Sequence, residues 1–162
     1  MATPLLYEEW QPSGNSRLRR LFMISAIFFL LSAISSFFFN KFSFQIIAAF
    51  FIISLICIIG TLVSYMRLVT QVRTDGIYVS YFPIQPSFRK FAWADILDVY
   101  PRRFDPLSEY GGWGIRYGPF GSAYILSGNE GIQIVFHDKK RLLISTTHSD
   151  ELMAAIQTAR GR

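Results

Sequence analysis

Cysteine occurs once in this 162-residue chain, at Cys57, and histidine only twice. A single thiol excludes an intramolecular disulfide framework and a multi-cysteine zinc site. His137 and His148 stand in turn-like contexts without a neighbouring cysteine or a carboxylate at ligand spacing, and they read as exposed turn residues. Gly112-Trp113-Gly114 lacks the third glycine of a dinucleotide fingerprint and does not open a helix. No serine lies in a nucleophile elbow. The chain is therefore expected to be non-catalytic and to need no cofactor. Charge is missing from two long stretches: residues 21–39 and 42–66 contain no Asp, Glu, Lys or Arg.

Those two stretches carry the strongest signal. The overall hydrophobic content of 51% is ordinary for a globular chain, so its distribution is what matters. About 20 apolar residues cross the hydrocarbon core as a helix, because lipid offers no partner to backbone N–H and C=O groups. Residues 20–39 and 42–66 are predicted to form a transmembrane helical hairpin joined by Asn40-Lys41. Neither run shows the polar face a soluble helix pair needs. No small-residue cleavage site follows the first run, which argues against a removable signal peptide. Ser25, Ser32, Ser35 and Ser36 can bond to the preceding turn or to the partner helix. Arg17, Arg19 and Arg20 before the first run and Arg67 after the second outweigh Lys41 between them. The positive-inside rule then puts both termini in the cytoplasm of a multi-pass cell-membrane protein. Residues 1–19 read as a cytosolic tail, with Trp10 at the interface. The net charge of +5 forms no long basic run, so nucleic acid is not expected as a partner.

After Met66 the hydrophobic period changes from helical to two. Residues 68–72 and 77–82 read as strands joined by the turn Thr74-Asp75-Gly76. Pro83 and Pro86 bracket a loop. Further strands are expected at 88–93, 96–103, 113–117, 122–126, 132–136 and 141–145, with a longer loop near 104–112. Ser149 is read as the cap of a final helix over 149–160. Its Leu152, Ala155, Ile156 and Ala159 share one face, suited to covering a sheet. The expected architecture is an α+β membrane protein, a two-helix hairpin followed by a small antiparallel β-barrel or sandwich of about seven strands capped by a C-terminal α-helix.

That element order resembles the pleckstrin-homology-like (PH-like) domains of prokaryotic membrane proteins, in an uncharacterised branch of that group. The resemblance rests on Trp93-Ala94-Asp95-Ile96, on Glu109-Tyr110-Gly111-Gly112-Trp113-Gly114-Ile115-Arg116, on Ala123-Tyr124, and on Ser127-Gly128-Asn129-Glu130-Gly131-Ile132-Gln133. It covers the domain over residues 67–162 and implies a fold and a place at the membrane, while its motifs are almost silent about activity. No catalytic or ligand-binding residue is carried over from it.

Two sets of residues are candidates for function. Glu109, Tyr110, Trp113 and Arg116 concentrate aromatic, charged and glycine-flanked positions. They read either as a partner surface or as a tight corner with Trp113 anchoring the core and Glu109 pairing Arg116. The basic turns Arg89-Lys90, Arg102-Arg103 and Lys139-Lys140-Arg141 are candidates for contact with anionic lipid headgroups, at about 1 kcal/mol per charge near the surface. Acidic neighbours temper them: residues 67–162 hold twelve basic against nine acidic residues. The leading functional expectation is a protein-interaction or scaffold element at the inner face of the membrane, through a protein partner or self-association. Headgroup contact and an accessory subunit of a larger membrane complex are the alternatives.

Overall fold

The two apolar runs form helix α1, Ser16–Phe39, and helix α2, Phe44–Val63, in a computed structural model that describes residues 4–14, 16–39 and 44–161. The expected Asn40-Lys41 connection lies outside the described residues. Each helix is long and apolar enough to cross a membrane. Small side chains line the seam between them: Ala26, Ala33, Ser36 and Ser54 are buried, while Leu21, Phe28, Leu31 and Ile56 are each about 60% exposed. This inverts the pattern of a soluble helix pair, since the larger apolar area faces outward and the small residues permit close backbone approach. Ser54 Oγ crosses the seam to the Ala26 carbonyl at 3.1 Å. Ser25, Ser32 and Ser36 bond back to carbonyls of the preceding turn, as expected. Residues Pro12–Met66 form one compact unit.

The second unit combines Arg67–Arg162 with Met1–Gln11. Its strands are β1 (Leu5–Pro12), β2 (Arg67–Arg73), β3 (Gly76–Phe82), β4 (Gln85–Ala92), β5 (Ile96–Arg103), β6 (Gly114–Gly118), β7 (Gly121–Ile125), β8 (Glu130–Phe136) and β9 (Arg141–Ser145). They form a four-stranded sheet in the order β1-β2-β3-β4 and a five-stranded sheet in the order β5-β8-β9-β7-β6. Leu68, Ile77 and Val79 of the first sheet and Ile132, Ile134 and Ile144 of the second are fully buried. Side chains of that size stabilise by about 1.5–3 kcal/mol each when withdrawn from water. Helix α4, Ser149–Arg160, adds Leu152, Ile156 and Ala159 to the core.

Several expectations are corrected. Among the described residues eight strands follow the helices, where about seven are expected, a ninth, β1, precedes them, and the pair β7–β9 is parallel, with Ser122 opposite Leu142. The stretch read as an N-terminal tail contains strand β1, Leu5–Pro12, and the first residues of α1. The loop near 104–112 holds a short helix, α3, Pro106–Tyr110. Asp105 caps it by accepting from the Leu107 and Ser108 amides, Pro106 opens it, and Gly111 closes it in the left-handed conformation at φ 70°. Helix α4 begins after His148, whose carbonyl accepts the Leu152 amide, so Ser149 is its first helical residue and not its cap.

Strand β1 explains how the chain closes. Ser13 donates its amide to the Met66 carbonyl at 2.9 Å, and the Gln71 side chain donates to Glu8 at 2.7 Å. As β1 runs back from residue 13 to residue 8, β2 runs forward from 66 to 71, so the two strands are antiparallel neighbours. The helical unit is thus an insertion in the connection of a β-hairpin. Only residues 13–15 and 64–66 join the helices to the strands.

Candidate functional site

At the inner face of β1 the buried positions are polar. Glu9 is 5% and Gln11 3% exposed. The Glu9 carboxylate accepts from the Thr146 hydroxyl at 2.6 Å, the Thr147 amide and hydroxyl at 2.9 Å each, and the Gln11 amide at 2.9 Å. His148 Nδ1 stands 3.6 Å away. Gln11 donates also to the Ser145 carbonyl at 2.7 Å. Four donors thus satisfy a buried carboxylate and tie the first strand to the segment that leads into α4. Burial, reinforced by Glu9 and Glu151, pushes the neighbouring Tyr7 phenol up to about 12. This lock is structural in character, and nothing in the alternation of residues 5–12 signals it.

The corner at 109–116 divides between core and surface. Tyr110 is buried, packed edge-to-face on Phe104 at 6.3 Å and clustered with Ala123, Ile125 and Leu143. Burial raises its phenol pKa, and the Arg102 guanidinium beside it opposes that rise. Tyr110 and not Trp113 anchors this corner, since Trp113 is half exposed. Glu109 pairs with Arg102, not with Arg116, and its other oxygen accepts the Asp105 amide. Arg116 folds back so that Nε donates to the Trp113 carbonyl at 2.7 Å. Of the four residues, Trp113 and Arg116 are exposed and the other two are used in packing and helix capping.

The basic turns also divide. Arg102 bonds Glu109 and Gln133 and stacks on the Phe120 ring at 5.1 Å, so its charge is committed inside the fold. Arg103 pairs with Glu130 at 2.9 Å. Arg89-Lys90 and Lys139-Lys140-Arg141, by contrast, meet around two adjoining grooves that share Lys140. One groove, of about 390 Å³, runs between Arg89, Lys90 and Phe91 on one side and Phe136, His137 and Asp138 on the other. The other, of about 550 Å³, lies between the β6–β7 turn and the β8–β9 turn, lined by Tyr117, Phe120, Ser122, Lys139 and Arg141 among others.

Charge within the grooves is unevenly balanced. Lys90 pairs with Asp75 at 2.6 Å, and that bond holds its ammonium pKa above the ordinary value. Lys140 pairs with Asp138 at 2.6 Å and holds that carboxyl below the ordinary range. No carboxylate of the described residues pairs with Arg89, Lys139 or Arg141. Arg89 lies on the Phe91 ring at 5.3 Å. Tyr117 is 78% exposed at the rim. The surface therefore offers unpaired cations beside aromatic faces, which suits carboxylates carried on an extended segment. Sequence reasoning found the cations and missed Tyr117 and Phe120, although aromatics on either side of Gly118-Pro119 in a turn were the available signal. Among the described residues no three of His, Cys, Asp or Glu converge to hold a metal ion.

The grooves lie away from the point of helix insertion. Ser145, at one end of β9, touches Gln11, the residue before Pro12. Arg141 begins β9 at its other end, four residues and so about 13 Å farther along the strand.

Comparison with known proteins adds one finding. A model of a family of unknown function (DUF6141) matches residues 2–161, and therefore strand β1, both apolar helices and the β unit together. No curated protein and no solved structure matches the chain.

Proposed function

The chain belongs to the family of unknown function DUF6141, and from that premise we propose that it is a membrane-anchored, non-catalytic interaction module. In this reading α1 and α2 form a multi-pass anchor, and the β unit is a PH-like domain at the cytoplasmic face. The domain receives an acidic protein segment in the grooves around Lys140.

The observation that carries the reading is the insertion of both apolar helices between two neighbouring strands of one sheet. A hairpin whose two ends return to one folded unit leaves and re-enters the same side of a bilayer. Arg17, Arg19, Arg20 and Arg67 flank those ends, which favours the cytoplasm for that side. The choice of an acidic protein segment rests on the grooves themselves. Arg89, Lys139 and Arg141 pair with no carboxylate of the described residues and lie beside the Phe91, Tyr117 and Phe120 rings, an arrangement that suits carboxylates on a protein segment.

A photo-crosslinking residue at Tyr117 in the full chain, activated in native membranes, tests this. The expected product is a protein adduct that disappears in a Lys139→Glu/Arg141→Glu double variant. An adduct of the chain with itself is the self-association form of the same reading. A lipid adduct, or a protein adduct indifferent to charge reversal, contradicts it.

A further inference from the structure

We propose that the apolar end of the first sheet, the β3–β4 turn with Phe82, Pro83 and Ile84 together with Trp10 of β1, sits in the interfacial layer of the bilayer as a third anchor that fixes the tilt of the β unit. The inference rests on the membrane reading above and specifies what the domain touches.

Arg67 pairs with Phe82, so the end of β3 lies beside the first residue after the helical insertion. Strand β1 reaches the same end at Pro12, where the chain leaves for α1. Each link to a helix is short: residues 64–66 separate α2 from β2, and an extended chain of that length spans about 10 Å at most. Neighbouring strands lie about 5 Å apart, so Phe82 stays within reach of the same layer. The interfacial layer is roughly 5–8 Å thick on each side of the hydrocarbon. Both connections to the helices therefore leave from this one end of the sheet.

The chemistry at that end matches the layer. Ile84 is 59% exposed and Trp10 58%, and Phe82 is also exposed. Exposed to this degree, Phe82 and Ile84 at the turn and Trp10 on its strand serve no core. The Arg67 guanidinium lies over the Phe82 ring at 5.0 Å. In the helical unit Arg19 lies over the Tyr65 ring at 4.6 Å. Aromatic rings and arginines of this kind collect at the headgroup level, where a ring meets hydrocarbon and a guanidinium meets phosphate.

The test uses the full chain with Cys57→Ala, reconstituted in lipid nanodiscs and labelled with a fluorophore at one introduced thiol. Ile84→Cys is compared with Lys139→Cys and with Ile27→Cys on the exposed side of α1. Lipids carrying a nitroxide on the acyl chain are expected to quench the label at 27, and lipids carrying it near the headgroup are expected to quench the label at position 84 several-fold more than at 139. Aqueous iodide is expected to do the reverse. Equal access of iodide to 84 and 139, with 27 quenched by lipid, overturns this inference and leaves the helices in the membrane. Protection of 84 from both quenchers means protein covers the turn, which also overturns it. Loss of lipid quenching at 27 removes the membrane reading and this inference with it.

Discussion

Glu9 and Thr146 are 137 positions apart and share a 2.6 Å hydrogen bond, with both apolar helices lying between them in the chain. The bond joins the strand before the insertion to the segment before the last helix. It makes the β unit a product of both ends of the sequence, so residues 67–162 alone do not constitute the whole domain.

Glu9→Ala leaves the Thr146 and Thr147 hydroxyls and the Thr147 amide without their acceptor. Unsatisfied buried donors cost about 1–3 kcal/mol each, and neighbouring water recovers part of that. Denaturant unfolding of the detergent-solubilised chain is expected to show a loss of about 2–4 kcal/mol in the β unit. Glu9→Gln, which keeps an acceptor oxygen, is expected to lose less. A wild-type midpoint for Glu9→Ala contradicts the lock.

Arg102 and Arg141 provide a paired comparison within the basic residues. Arg102→Ala removes the partner of a mostly buried Glu109 and a stack on Phe120, at an expected cost of about 2–4 kcal/mol. Arg141→Ala touches no ion pair and is expected to change stability by no more than about 0.5 kcal/mol. Thermal unfolding of the two variants side by side checks this. Equal losses contradict the division between a committed and an available cation.

Tyr7 supplies a pH signature. Its folded pKa of about 12 lies above its ordinary value of 10.0. The neutral phenol is favoured in the fold, so its contribution is complete below pH 10 and is lost as pH rises toward 12. Subtracting the alkaline absorbance titration of Tyr7→Phe from that of the wild type is expected to give a single phenol with a midpoint near 12. A midpoint near 10 means that β1 does not bury that ring.

Gly121 tests the frame of the larger groove. Its φ is 105°, and a Cβ there falls 2.3 Å from the Arg141 carbonyl oxygen. Gly121→Ala forces the β6–β7 turn away from β9 and is expected to cost more than about 1 kcal/mol. It also widens the gap between Tyr117 and Lys139. Unfolding midpoints, with crosslinking yield from position 117, read both effects, and unchanged values in both contradict the packing described.

Much of the fold is legible in the sequence, and the exceptions have physical causes. Strand β3 follows from period-two alternation, with Ile77, Val79 and Tyr81 buried on one face, whereas β9 reads as a short apolar run, Leu142-Leu143-Ile144, after a turn. Strand β1 escapes that reading, since its buried positions are Glu9 and Gln11. Their burial is affordable only because Ser145, Thr146 and Thr147 supply distant partners, and no local pattern encodes a partner so far along the chain. The Asp105-Pro106 pair signals a break in the strands, yet the same two residues are a helix cap and a first helical residue. Pro86 looked like a loop residue and lies in β4, at the edge of the sheet, where a missing N–H costs no ladder bond. The parallel pairing of β7 with β9 depends on the path through β8 and leaves no local trace. At the candidate site, the cations were visible as pairs and triplets. Which of them were already spent on Glu109 or Glu130 was decided by tertiary neighbours alone.

The central claim is that one β unit is built from chain on both sides of a membrane hairpin, so Leu5 and Lys139 face the same compartment and the far helix ends face the other. Single thiols introduced by Leu5→Cys, Lys139→Cys and Phe44→Cys in a Cys57→Ala background, probed with a membrane-impermeant maleimide, test this directly. The expected result is labelling of Phe44→Cys in intact cells, and of Leu5→Cys and Lys139→Cys only after the membrane is permeabilised. Labelling of Leu5→Cys and Lys139→Cys from opposite faces contradicts the claim.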